Sequence, residues 1–207
     1  MKTLFQRKGN RMGRPSVQDQ RKKEVLDAFM TCVVLYGVEG ATLEHIAAQA
    51  GLKRPLIRHH LGNRKAMVLA LGEHIADTLT NQSEALRAAL TNHPGVRSLI
   101  EALFNSDGEL DSRVNICYQA LVNSIENYPE LRKPLLESME AFYKVAIDIV
   151  LASHPKTDKQ ACEIVAHGIV NLFVTTDAFI PLKPPKTWAY SSYFAALKLA
   201  ETLEEKS

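Results

Sequence analysis

The sequence predicts an all-α chain in which a short three-helix domain built on a helix-turn-helix precedes a longer helical domain. Three observations predict it. Residues 42–61, TLEHIAAQAGLKRPLIRHHL, read as two short helices joined by a tight turn. Beyond residue 80 the apolar spacing stays near the helical period of about 3.6, without the alternation that strands need. Charge is uneven too: residues 1–70 hold 13 Lys and Arg against 5 Asp and Glu, whereas residues 71–207 hold 12 against 18. The basic third is therefore the part that faces a polyanion. The expected division is a basic arm over 1–15, the helix-turn-helix domain over 16–62 and the second helical domain over 63–207.

The arm carries Lys2, Arg7, Lys8, Arg11 and Arg14, interrupted by Gly9, Gly13 and Pro15. It either follows phosphates or a minor groove, or stays a solvated tail. Ser16 and Asp19 resemble a capping box opening helix one, whose Val25, Phe29, Cys32, Val33 and Tyr36 form an apolar stripe. Arg21, Lys22 and Lys23 lie near its start, within reach of a phosphate backbone.

Thr42 is a good N-cap for helix two, because its hydroxyl accepts from an orphan N–H of the first turn, and Glu44 complements the positive helix end. Leu43, Ile46, Ala47 and Ala50 share one face. Gly51 stops the helix, since glycine takes the left-handed conformation that a sharp exit requires. The next helix opens at Lys53, Arg54 and Pro55, where a proline costs no hydrogen bond. At about 100° per residue, Ile57 and Leu61 face inward, Pro55 and His59 outward, and Leu56 and Arg58 flank them. A short cationic face of this kind suits a DNA major groove, where arginine pairs with guanine or phosphate and Leu56 can touch a thymine methyl.

Residues 37–67, GVEGATLEHIAAQAGLKRPLIRHHLGNRKAM, resemble the DNA-binding signature of the TetR family of bacterial repressors. The matches are Gly37 at the end of helix one, Thr42, Ile46-Ala47, Ala50-Gly51, Ile57 and Leu61, and the likeness covers the first third of the chain. The resemblance implies phosphate contacts from His60 and Arg64. Lys53, Arg58 and Leu61 stand where the family usually has serine, tyrosine and phenylalanine, so the operator cannot be copied from a relative. Lys53, Arg54, Pro55, Leu56, Arg58 and His59 are thus the candidate base-reading set, and Thr42, His60, Arg64 and Lys65 the candidate backbone-holding set. The family further implies a repressor that leaves a pseudo-palindromic operator when a small effector binds.

Gly62 ends helix three and Asn63 caps a fourth helix running through Met67, Leu69, Leu71, Ile75 and Leu79, a rigid joint to the second domain. Breaks at Pro94-Gly95, Asp107-Gly108, Pro129, Pro155 and Pro181–Pro185 leave five more helices, near 96–106, 109–126, 130–152, 158–180 and 187–204. Thr157 with Gln160 reads as a capping box for the fourth of these, and Pro129 opens the third. Helix 158–180 is apolar round much of its circumference and helix 187–204 has a broad aromatic face, which suits a homodimer contact through Ile164, Leu172, Phe179, Tyr190, Phe194 and Leu197. The resemblance places an effector cavity among the middle helices. Phe104, Cys117, Tyr118, Leu121, Met139, Phe142 and Tyr143, with His167 and Asn171 one turn apart, are its candidate lining, and favour an apolar ligand.

The sequence holds no G-x-G-x-x-G, P-loop, G-x-S-x-G or H-E-x-x-H motif, so neither an enzyme nor a cofactor is implied. No metal site is expected, because His59 and His60 diverge by about 100° on one helix. Cys32, Cys117 and Cys162 form no C-x-x-C pair and read as buried thiols in a reducing cytoplasm. No apolar run is expected to span a membrane. Two rivals remain: a helical small-molecule-binding protein without specific DNA binding, and an enzyme using the C-terminal cavity.

Overall fold

The apolar spacing becomes nine helices among residues 17–91, 95–105 and 111–204, the ones described by a computed structural model. The N-terminal head comprises α1 (Val17–Gly40), α2 (Leu43–Ala50) and α3 (Arg54–Leu61). The long α4 (Arg64–Leu90) leads into α5 (Val96–Phe104), α6 (Ser112–Val122), α7 (Arg132–Ser153), α8 (Lys159–Ala178) and α9 (Lys186–Glu204). Single 3-10 turns occupy Pro129–Leu131 and Ile180–Leu182, and no strand occurs among the described residues. The basic arm and the Ser16 cap lie outside those residues, as do Pro94 and Asp107-Gly108.

In α1, Val25, Phe29, Cys32 and Val33 are buried as the stripe requires. Tyr36 is not part of it: 51% exposed, its ring stacks on His45 at 4.3 Å between centroids. The helix kinks at Gly37, whose φ of 70° breaks the α conformation. Thr42 caps α2 by accepting from the His45 N–H at 3.3 Å. Gly51, at φ 64° and ψ 28°, closes α2 with its N–H turned back to the Ala47 and Ala48 carbonyls. Asn63 caps α4 through the Ala66 N–H at 2.9 Å.

Four boundaries differ from expectation. Asp111 caps α6, and the helix ends at Val122 rather than near 126. Proline disfavours the helical conformation in the residue before it, and Tyr128, at φ −135° and ψ 69°, is non-helical ahead of Pro129. Pro129 therefore opens a 3-10 turn, and α7 begins only at Arg132. Asp158, not Thr157, caps α8: its carboxylate accepts from the Ala161 N–H at 3.0 Å, so the helix starts one residue later than the capping-box reading has it.

Two apolar cores result. The first joins α1, α2 and α3 to Met67, Val68, Leu71 and Ile75 of α4, and continues through Val114, Cys117 and Leu121 of α6 to Leu131 and Leu135. The second joins α5, the later turns of α7, α8 and α9. The head's core thus runs past Gly62 into α4 and α6. A polar latch reinforces the junction: the Arg113 guanidinium of α6 donates to Thr31 Oγ1 at 2.8 Å and to Asp27 Oδ1 at 2.7 Å, both on α1.

The stretch Lys159–Leu182 is, by length and composition alone, long and apolar enough to cross a membrane. Its inner face, Cys162, Val165, Ala166, Ile169 and Val170, packs into the second core, while its outer face keeps apolar side chains such as Ile164, 62% exposed. An apolar residue on both faces is what raises the hydropathy, and an exposed apolar face is equally what a protein interface needs.

Candidate nucleic-acid interface and effector cavity

The orientation of α3 follows from two side chains. Ile57 and Leu61 are 0% and 5% exposed against the head's core, which turns the rest of the short helix outward. Burying such a side chain contributes about 1.5–3 kcal/mol, enough to fix the helix's rotation. Lys53, Arg54, Pro55, Leu56, Arg58 and His59 are all exposed. They form one cationic surface with an apolar point at Leu56. Arg54 is shared with α2, since its guanidinium donates to Glu44 Oε1 at 2.5 Å and holds that carboxyl below the ordinary range.

The candidate backbone-holding residues divide. Thr42 is exposed at the start of α2 with its hydroxyl accepting the cap bond. His60 is half-buried and its Nδ1 is buried without a hydrogen-bond partner, the ring packing edge-on to His59 at 5.3 Å. Lys65 pairs with Glu130 of the 3-10 turn, whose carboxyl it holds low. Arg64 departs from expectation: its guanidinium donates to the Ala41 carbonyl at 2.7 Å and to the Val38 carbonyl, and lies 5.6 Å from the Phe29 ring centroid. The fork is thereby committed inside the head, bracing the α1–α2 loop. A neighbouring contact that sequence reasoning missed is His45 Nδ1, 2.9 Å from the Gly40 carbonyl oxygen, on the same loop. Its signal was Tyr36, an aromatic assigned to the core although it completes the His45 stack.

Two cavities lie in the second domain. The inner one, about 360 Å³, is walled by α4, α6, α7 and α8, and includes Leu79, Leu86, Tyr118, Met139, Phe142 and Val174. The outer one, about 430 Å³, lies between Phe104, Phe179, Ile180, Pro184 and Trp188. Leu103, Phe173 and Asp177 belong to both. Of the candidate lining, Tyr118, Met139 and Phe142 face the inner space and Phe104 the outer.

The other five are elsewhere. Cys117 and Leu121 are 0% exposed in the head's core because their face of α6 packs on α1 and α4. Burial pushes the Cys117 thiol up to about 12. His167 and Asn171 do share a face of α8, but it is the exposed one. Tyr143 joins them, its hydroxyl donating to Asn171 Oδ1 at 2.5 Å and its ring stacked on His167 at 4.4 Å. Polar residues that sequence reasoning did not place there also line the inner cavity: Gln82, Ser83, Gln119 and Ser138, with Asn115, whose amide donates to the Asp177 carboxylate.

On the surface of α8 and α9, Ile164 is 62% exposed, Tyr190 66%, Phe179 and Phe194 41% each, so these apolar side chains lack cover in a single chain. Leu172 and Leu197 instead are partly buried against the second core.

No protein-family model matches the chain. Over 98 residues it is 30% identical to the HTH-type transcriptional activator FasR of Mycolicibacterium smegmatis, a stretch covering 47% of this chain and 45% of that protein. The chain thus spans about half the length of this curated relative. Among solved structures, a transcriptional regulator from Pseudomonas aeruginosa PAO1 superposes with a TM-score of 0.72 at 20% identity, over 95% of each chain. A TetR-family transcriptional regulator from Mesorhizobium loti MAFF303099 superposes with a TM-score of 0.72 at 12% identity, over 91% of this chain and 97% of that one.

Proposed function

We propose that this chain, which has the fold of the TetR-family transcriptional regulators, is a cytoplasmic, homodimeric DNA-binding regulator whose hold on a pseudo-palindromic operator is released by a small effector. The observation that carries the reading is the outward face of α3: exposed Lys53, Leu56, Arg58 and His59 on a helix pinned by buried Ile57 and Leu61. Lys53, Arg54, Leu56, Arg58 and His59 read base edges and adjacent phosphates in a major groove, while Thr42, His60 and Lys65 hold the backbone. One eight-residue helix makes few base contacts, and a twofold pair reads two half-sites. The uncovered apolar face of Ile164, Phe179, Tyr190 and Phe194 supplies the contact between copies.

Release follows from shared walls. Leu79 and Leu86 of α4 and Asn115 and Tyr118 of α6 line the inner cavity, and both helices also pack into the head's core. An effector that favours a different spacing of α4 and α6 changes the separation of two reading heads, and its differential affinity sets how far the equilibrium moves. The likeness to an activator, FasR, favours a second reading in which the bound state promotes transcription.

A genome-fragment binding selection with the purified chain, followed by salt titration of the enriched site, tests the proposal. The expected result is a pseudo-palindrome with a steep salt slope. Weak binding without sequence preference refutes it and favours the ligand-binding protein that reads no DNA.

A further inference from the structure

The two cavities meet at the Asp177 carboxylate, which no counter-charge faces among the described residues. Ser83, Ser138 and Tyr118 line the inner cavity, and the hydroxyl of each donates to a backbone carbonyl, of Leu79 or Leu135. Among the described residues, no Lys or Arg lines either space. Asp177 is held from one side only, by the Asn115 amide. A carboxylate set among apolar walls is costly unless an opposite charge or several donors face it. Burial accordingly pushes the Asp177 carboxyl upward, against the pull of Asn115.

The surrounding rings complete the pattern. Phe173, common to both cavities, meets Phe104 edge-on at 5.9 Å and Phe142 at 6.0 Å, and Trp188 of the outer cavity lies against Phe179 at 6.2 Å. Aromatic faces attract cations, most strongly where water is excluded. An anion would bring a second negative charge to a site with no cation to receive it. We propose, resting on the reading of this cavity as the effector site, that the effector is an amphipathic organic cation. Its charged head lies against Asp177 at the junction of the two chambers, and its apolar tail fills the inner one. The inner volume of about 360 Å³ suits a small drug-sized molecule.

Calorimetric titration of the full chain with three probes of one chain length, decyltrimethylammonium, 1-decanol and decanoate, tests this. The cation is expected to bind about tenfold or more tighter than the alcohol, and decanoate weakest. Asp177→Asn is expected to remove the cation's advantage while leaving the alcohol within about twofold, and Asp177→Glu to retain it. If the alcohol or decanoate binds as tightly as the cation, or Asp177→Asn keeps the full preference, the cation proposal is overturned while the cavity remains an effector site. If the unaltered chain binds none of the three, the effector-site reading falls with it. The comparison among probes on the unaltered chain stands even where a variant folds poorly.

Discussion

Replacing Arg64 by alanine distinguishes an internal brace from a phosphate contact. The guanidinium donates to the carbonyls of Ala41 and Val38 and lies over Phe29, so the substitution removes two charge-assisted hydrogen bonds and a cation–π contact. Hydrogen bonds of a charged donor contribute about 1.5–3 kcal/mol each, and a partly exposed cation–π contact about 0.5–1 kcal/mol. Arg64 is only half-buried, and water replaces part of what is lost, so the expected destabilisation is about 2–4 kcal/mol. For a chain of this size that lowers Tm by on the order of 10 °C. The brace holds the loop from which Thr42 caps α2, so operator binding weakens as the head loosens, to a similar extent at every salt concentration. The slope of log K against log salt is then unchanged, whereas losing a true phosphate contact reduces it by about 0.9. Thermal melts, with fluorescence anisotropy of a labelled operator across a salt series, measure both. A slope reduced by about one with an unchanged Tm would falsify the brace and restore the phosphate contact. Arg64→Lys, which keeps the charge but not the fork, should recover only part of the stability.

Arg58→Ala should relax sequence preference at one position of each half-site, costing about 1–3 kcal/mol against the preferred base; an unchanged base profile in a repeated selection contradicts that role. Ile164→Arg places a charge on the uncovered face of α8 and should yield a monomer by light scattering; an undisturbed dimer puts the interface elsewhere. Burial raises the Asp177 carboxyl in the folded chain above its unfolded value, so the stability it contributes is complete below the unfolded pKa and lost as pH rises through the folded one. Asp177→Asn, which never ionises, should therefore melt higher than the parent at neutral pH, with the gap closing on acidification; a gap that widens in acid reverses the sign.

What was legible in the sequence was local. Thr42, Gly51 and Asn63 act within four residues of their own positions, through caps whose chemistry a residue type announces. The rotation of α3 was legible because Ile57 and Leu61, four residues apart, share one face of a helix whose other positions are charged and polar groups, a proline and the flanking Leu56. Helix periodicity was less useful on α8. It puts His167 and Asn171 on one face, but with apolar residues on nearly every side it does not say which face looks inward. Arg64 matched a phosphate-contacting position, yet the carbonyls that hold it lie 23 and 26 residues upstream, where no spacing rule connects them. Asn115 and Asp177 are 62 residues apart, and their pairing exists only once α6 and α8 are packed together. The asymmetry has a physical origin. A DNA groove has one geometry, so a head that reads it must repeat a compact local pattern, whereas a ligand cavity is assembled from turns of several helices and its chemistry is set by whichever side chains the packing happens to bring inward. Within this chain the recognisable third therefore carries the proposed DNA contact, whereas the proposed effector's chemistry rests on a carboxylate, Asp177, that only packing brings to the cavities.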